Sequence, residues 1–112
     1  MIYCSGEIYS CWWNPSNHVY TPVTDAEKSE RGLYPMDEIT QGIARLCKLD
    51  LFSSEIAYTP DQKFMVIDYV NDQIDLRLQS QAVDGVPDAL VEKIAFNLAA
   101  LVERTHNRTS GL

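Results

Sequence analysis

The 112-residue chain has few basic residues and no long apolar run, and each lack excludes a class of function. Its 9 lysines and arginines stand against 16 acidic residues, for a net charge of −7. A protein that binds the nucleic-acid backbone needs a basic stripe to displace counterions, so this balance argues against nucleic-acid binding. No apolar run reaches the roughly 20 residues that cross a bilayer. We therefore expect a cytoplasmic protein that binds neither nucleic acid nor membranes.

Cysteine is scarce too, with three residues at Cys4, Cys11 and Cys47. An odd number without CxxC spacing argues against a disulfide framework or a zinc site, and reduced, largely buried thiols are expected. The hydrophobic content of 46% predicts a globular protein. By length we expect one domain over residues 1–105, with a frayed tail at His106–Leu112.

Two apolar runs dominate the middle of the chain, Leu51–Tyr58 and Phe64–Val70, on either side of the turn-forming Pro60-Asp61. This pattern predicts a β-hairpin. A four-residue loop of residues 60–63, built on a type I turn, would pair Thr59 with Phe64.

The same register sets Glu55 opposite Asp68. Two carboxylates directly across a strand ladder repel each other unless a positive charge lies between them. A divalent cation with oxygen ligands would be a natural occupant of this position.

The neighbours of Asp68 sharpen this expectation. Alternation puts Asp68 on one strand face with Phe64, Val66 and Val70, and puts Met65, Ile67 and Tyr69 on the other. Two apolar faces are typical of a strand covered on both sides, where an unpaired carboxylate is costly. The alternative is that the register differs and that Asp68 lies at the strand end, in water or beside a lysine.

Before this hairpin, Met1–Trp13 predicts another, with Ser5-Gly6 as a two-residue turn that pairs Cys4 with Glu7. One short strand candidate follows at His18–Val23. The charged stretch Thr24–Arg31 is either a solvated loop or a short exposed helix. His18 has no Cys or acidic partner nearby, so we interpret it as a surface residue rather than a metal ligand or base.

Two amphipathic helices are predicted, at Pro35–Leu49 and at Pro87–Glu103. Gly42, in the apolar stripe of the first helix, would mark close packing on strands. The polar segment Asn71–Gly85 lacks periodicity and is interpreted as an ordered loop. The expected fold class is α+β, an antiparallel sheet built from hairpins with two helices packed on it.

The stretch LDLFSSEIAYTPDQKFMVIDYVND resembles the C-terminal half of an ATP-grasp domain. In that family a helix ending in a similar turn leads to a strand with an acidic metal ligand, and the return strand carries a second acid and an asparagine. The corresponding residues here are Glu55, Asp68 and Asn71. The opening segment IYCSGEIYSCWW is similar to the strand–Gly–strand segment of the family, so the resemblance covers Met1–Leu78.

The resemblance implies a function in carboxylate activation. Two Mg²⁺ ions held by Glu55, Asp68 and Asn71 would bridge the phosphates of ATP. A small-molecule carboxylate would take the γ-phosphate, and an amine or thiol would attack the resulting acylphosphate. Ile67, just before the second acid, would pack on adenine, unless it is a plain core residue.

The resemblance also implies that this chain is a fragment whose partner is the rest of the ATP-grasp polypeptide. The opening strand begins with the chain itself, which is expected of a domain cut from a longer protein. The phosphate-binding lysine of the other half is not visible here. We therefore expect the isolated chain to be inactive and to bind no Mg²⁺ or ATP tightly.

Three features depart from the family pattern. Trp12-Trp13 replaces a basic residue that meets the phosphates, and residues 72–75 replace a Pro-Gly pair. Asp68 and Asn71 are three residues apart instead of two, which points them to opposite faces of a regular strand; a bulge at Tyr69-Val70 would restore a shared face. Arg77 either reaches a phosphate or forms a surface ion pair with Asp75 or Asp72.

A second interpretation comes from a different class of protein. The chain would be a non-catalytic interaction module, or a degenerate ATP-grasp relative. It would bind a peptide, or itself as a homodimer, through exposed edge strands and the Trp12-Trp13 patch.

Overall fold

The structure is a computed structural model that describes residues 1–110, with side chains described through residue 106. The chain forms an α+β fold with antiparallel sheets, as predicted. In chain order the elements are β1 (Ile2–Cys4), β2 (Glu7–Tyr9), β3 (Cys11–Trp13), β4 (Tyr20–Pro22), α1 (Asp25–Arg31), α2 (Tyr34–Cys47), β5 (Leu51–Tyr58), β6 (Phe64–Asn71) and α3 (Asp88–Ser110).

The main sheet has four strands in the order β2-β1-β5-β6, and every neighbouring pair is antiparallel. The first hairpin has the predicted register, with Cys4 opposite Glu7. On its other side β1 pairs with β5, where Tyr3 lies opposite Phe52. β6 therefore occupies an edge of the sheet, and this position determines how much of β6 the helices cover.

The two long helices pack on opposite faces of this sheet. Tyr3 and Phe52 stack with ring centroids 5.1 Å apart, in a cluster with α2 residues such as Ile43. Ile2 and Cys4 alternate with Tyr3 along β1, and they lie in a second cluster with Ile94 of α3. The prediction of helices on a sheet is confirmed, and the structure adds that the sheet is the middle layer.

β3 and β4 form a separate two-stranded sheet, which the sequence did not predict as a unit. Trp13 lies opposite Tyr20, within the predicted strand region His18–Val23. Tyr20 packs against the α3-side cluster, and its carbonyl accepts a hydrogen bond of 2.8 Å from Nε2 of Gln79. This contact joins the small sheet to the loop that follows β6.

The bounds of α1 and α2 agree with the predicted ones within two residues. α1 takes the helical alternative, since the Thr24 hydroxyl accepts from the backbone N–H of Glu27 and the Glu27 carboxylate accepts from Thr24 in return. α2 begins one residue before Pro35, which occupies the first turn as expected. At its end Lys48 adopts a left-handed conformation, and its N–H bonds the carbonyl of Ala44.

α3 is longer than predicted. It continues past Glu103 to Ser110, so residues 106 to 110 of the predicted tail are helical, and Gly111 and Leu112 lie outside the described residues. The segment between β6 and α3 is an ordered loop, as expected, and a bridge between Leu78 and Val86 closes it. None of the described helices is long and apolar enough to cross a membrane.

Candidate functional site

The central hairpin places Glu55 directly opposite Asp68, as predicted. We call these two residues the acid pair. The predicted loop is wrong by one residue, because Tyr58 rather than Thr59 lies opposite Phe64. Thr59 belongs to the turn, where its N–H donates to the carbonyl of Lys63 at 2.9 Å and its hydroxyl accepts from the Lys63 N–H at 3.0 Å. The turn therefore spans residues 59–63.

The acid pair nevertheless forms because β6 is bulged. Near the turn Ile56 lies opposite Val66, and the next pair is Glu55 with Asp68, so Ile67 is one extra residue in β6. This first bulge was not predicted, and the sequence shows no glycine or other signal for it.

A second bulge follows at Tyr69-Val70, where a bulge was proposed from the sequence. Asn71 lies opposite Ser53, two residues from Glu55 on β5, although Asn71 is three residues from Asp68. Paired residues share a sheet face, and so do residues two apart in a regular strand. The acid pair and Asn71 are therefore on one face.

This face is open to solvent at β6, and the prediction of a strand covered on both sides is wrong. Glu55, Asp68 and Asn71 are exposed, and so are Met65 (57%) and Ile67 (54%). The cause is the position of β6 at the sheet edge. Among the described residues, the α3-side cluster includes no residue of β6.

The predicted neighbours of Asp68 are also different. Val66 pairs with Ile56 on the α2 side of the sheet, whereas Asp68 pairs with Glu55 on the other side. The bulge at Ile67 inverts the alternation between Val66 and Asp68. The carboxylate therefore avoids the apolar face, and its desolvation cost is avoided as well.

Within the part of the chain that the structure describes, the acid pair lacks a neutralising side chain. Neither carboxylate forms an ion pair or a side-chain hydrogen bond there. Glu55 does interact with the α-ammonium of Met1, which donates to the carbonyl of Ser54 at 3.1 Å. Burial lowers the pKa of this ammonium, and the charges of Cys11 and Glu55 partly oppose the shift.

The donor chemistry of this site fits a hard cation. Carboxylate and amide oxygens suit Mg²⁺, which commonly takes one or two carboxylates and fills its remaining positions with water and phosphate oxygens. Oδ1 of Asn71 accepts from the N–H of Gln73 at 3.1 Å and keeps a second lone pair. No group of three or more His, Cys, Asp or Glu able to hold a metal occurs among the described residues. The amide of Asn71 would thus complete the set.

Ile67 and Arg77 were also candidate site residues in the sequence. Ile67 is too exposed to be a plain core residue, so the core alternative is wrong; contact with adenine stays a prediction. Arg77 takes the ion-pair alternative. Its Nε lies 2.7 Å from Oδ2 of Asp75, and its Nη2 lies 3.0 Å from Oδ2 of Asp84, which the sequence had not paired with it.

The two tryptophans do not form one patch. The indole N–H of Trp12 donates to Glu27 at 2.8 Å, toward α1. Trp13 is on the opposite face of β3 and stacks on His18, with ring centroids 5.3 Å apart and planes within 9°. His18 is an exposed aromatic partner of Trp13, consistent with its interpretation as a surface residue.

Comparisons with known proteins add no assignment to this geometry. No family model, no curated protein and no solved structure matches the chain.

Proposed function

We propose that the chain is the C-terminal half of an ATP-grasp protein and contributes ligands for Mg-ATP. The observation that supports this proposal is the exposed acid pair, with Asn71 beside it on the same face. Among the side chains described, through residue 106, no cationic one pairs with either carboxylate. Facing carboxylates in this arrangement favour a bound cation.

In this proposal the residues of this chain hold Mg²⁺ and orient the phosphates of ATP. The reaction itself needs the rest of the ATP-grasp polypeptide. Bound Mg²⁺ would supply charge neutralisation while the γ-phosphoryl group of ATP passes to a small-molecule carboxylate and ADP leaves. An amine or thiol would then attack the resulting acylphosphate and release inorganic phosphate. Glu55, Asp68 and Asn71 fix the position of the phosphates, and Ile67 offers an apolar surface for the adenine ring. The proposed location is the cytoplasm, which agrees with three free cysteines.

The first test is a titration of the 112-residue chain with Mn²⁺, followed by NMR, with and without ATP. Paramagnetic broadening is expected at Glu55, Asp68 and Asn71, with an apparent dissociation constant of about 1 mM, as in weak oxygen-ligand sites. Asp68→Asn keeps the shape of the side chain and removes its charge. It should weaken binding at least tenfold, roughly the lower end of the effect of losing an outer contact.

Asp50→Asn is the matched control, because it makes the same change at an exposed acid just before β5. It should leave the broadening at the acid pair unchanged. Equal weakening by both substitutions would mean that only the net charge matters, and diffuse broadening over all acidic residues would refute the site. A repeat on a chain with an N-terminal extension removes the Met1 ammonium, which otherwise competes with the metal for Glu55.

A second candidate function is supported by the edge position of β6. Met65, Ile67 and Tyr69 are each more than half exposed on a strand with one unpaired backbone edge. Such an edge can add a strand from a peptide or from a second copy of the chain. Sedimentation over a wide concentration range distinguishes the candidates, since a homodimer through β6 would be broken by Tyr69→Lys and would not depend on Mg²⁺.

A further inference from the structure

The bulges in β6 are confined to the stretch that carries the proposed ligands. Four residues of β5, numbers 53 to 56, face six residues of β6, numbers 66 to 71. From Val66 back to Phe64 the ladder is regular, with one residue of β6 for each residue of β5. Both extra residues therefore fall beside the acid pair and Asn71.

A regular ladder would build a different surface. Continuing the pairing of Ile56 with Val66 would set Glu55 opposite Ile67 and Ser53 opposite Tyr69. Neither residue offers a carboxylate or amide oxygen. The same sequence on an unbulged strand would thus present one acid and two apolar side chains at this place.

We infer that the two bulges are a positioning device that brings Asp68 and Asn71 onto the face of Glu55. This inference rests on the proposed function. Ile67 and the Tyr69-Val70 pair are then positioning residues, which act through the ligands that they rotate into place. Bulges are common beside functional sites, where they re-aim a side chain.

The inference explains how Asp68 and Asn71 can both be ligands although they are three residues apart in the sequence. In a regular strand, Asp68 and Asn71 would point to opposite faces. The second bulge absorbs one residue, so that Asn71 lies opposite Ser53 and shares the face of the acid pair.

The test exchanges the residues at 69 and 71 in the 112-residue chain, as Tyr69→Asn/Asn71→Tyr. Composition, charge and length are unchanged, but the asparagine now directly follows Asp68 and so points to the other face, and a tyrosine lies opposite Ser53. In a titration with diamagnetic Mg²⁺ the resonances of the acid pair should still shift, the side-chain amide of the asparagine should no longer shift, and the affinity should fall about tenfold. Spectra of α2 and α3 report whether the fold is retained.

Deletion of Val70 is the matched variant with the opposite expectation. It removes the extra residue and leaves a regular ladder in which the asparagine still lies opposite Ser53. Because Val70 is 36% exposed, its loss leaves the core intact. The Mg²⁺-induced shift of the asparagine side-chain amide and the affinity should both stay within about twofold of the original chain, which for the affinity is a difference of roughly 0.4 kcal/mol.

The outcomes separate this inference from the proposed function. Mg²⁺-induced shifts at the acid pair, with an unchanged or larger shift of the asparagine amide after the exchange, would overturn the positioning role, since the bulges would then serve only to blunt the sheet edge. Absence of localised broadening at the acid pair in the original chain would overturn the proposed function itself. Loss of the asparagine response on exchange and its survival on deletion would support the inference.

Discussion

Gly85 lies where the loop after β6 passes so close to itself that no side chain fits. A Cβ at this position would lie 2.5 Å from the carbonyl oxygen of Arg77 and 2.8 Å from the carbonyl carbon of Leu78. Both are backbone atoms, and the Arg77 carbonyl is held by a 2.8 Å hydrogen bond from the N–H of Val86. Moving them would break the closure of the loop.

We expect Gly85→Ala to lower the free energy of unfolding by about 1–3 kcal/mol, the usual range for overpacking. Gly42→Ala is the control. A Cβ there meets only the guanidinium of Arg45 at 3.7 Å, and alanine in a helix should raise stability by up to about 1 kcal/mol. Urea unfolding of the two variants should give shifts of opposite sign. A similar shift for both would show that the loop can relax.

These two glycines also show what the sequence could reveal at the scale of single residues. The sequence suggested close packing at Gly42 because the residue interrupts an apolar stripe, and the structure places nothing but a flexible side chain there. Nothing marked Gly85, because its contacts come from residues 77–82, which fold back on it. By contrast, the pairing of Glu55 with Asp68 was predicted, although the assumed loop was one residue too short.

At the scale of elements, α1 is held by polar contacts, since it has no buried residue. The Glu27 carboxylate accepts from the backbone N–H of Thr24 at 3.1 Å and from the indole of Trp12 at 2.8 Å. Arg31 lies over the Trp12 ring, 5.4 Å from its centroid. These contacts attach the helix to β3.

This attachment should depend on pH. The hydrogen bonds from Thr24 and Trp12 hold the pKa of Glu27 below its ordinary value of 4.5. A folded-state pKa below the unfolded one means that the stabilisation is present above pH 4.5 and is lost as the pH falls through the folded value. The indole N–H resonance of Trp12 should therefore shift below pH 4.5, while that of Trp13 should not. In Glu27→Gln the shift should disappear; if it persists, another group is responsible.

Elements and their bounds were largely predictable, whereas their irregularities were not. Apolar periodicity predicts α2 and α3, and turn residues predict both hairpins. The bulge at Ile67 was missed because strand alternation alone gives no sign of an extra residue. The assumed four-residue loop and the missed bulge offset each other, so the predicted acid pair was right although its predicted face was wrong.

For the whole molecule, the sequence could not show which face each helix covers. Both helices have an apolar stripe that any sheet face could accept, and only the strand order decides the arrangement. The order β2-β1-β5-β6 leaves β6 at an edge, with the acid pair exposed on the α3 side. The open face of β6 is where the proposed nucleotide and the remaining polypeptide would add their contacts.

One sheet separates the two core clusters, so both helices depend on the same four strands. Phe52 on the α2 side and Ile94 on the α3 side are fully buried, at 0% exposure. Truncation of either leaves a cavity, and we expect losses of about 3–5 kcal/mol for Phe52→Ala and about 2–5 kcal/mol for Ile94→Ala. Leu46→Ala, at a side chain that is 86% exposed, should change little.

If residues 1–105 are one cooperative domain, each truncation destabilises both faces at once. Urea unfolding followed by tryptophan fluorescence, which reports on β3, should coincide with unfolding followed by far-UV circular dichroism, which reports mainly on α2 and α3. The coincidence should hold in both truncated variants. Separate transitions in Ile94→Ala, with the helical signal lost first, would show that α3 is an independent layer, because the sheet would then remain folded without it.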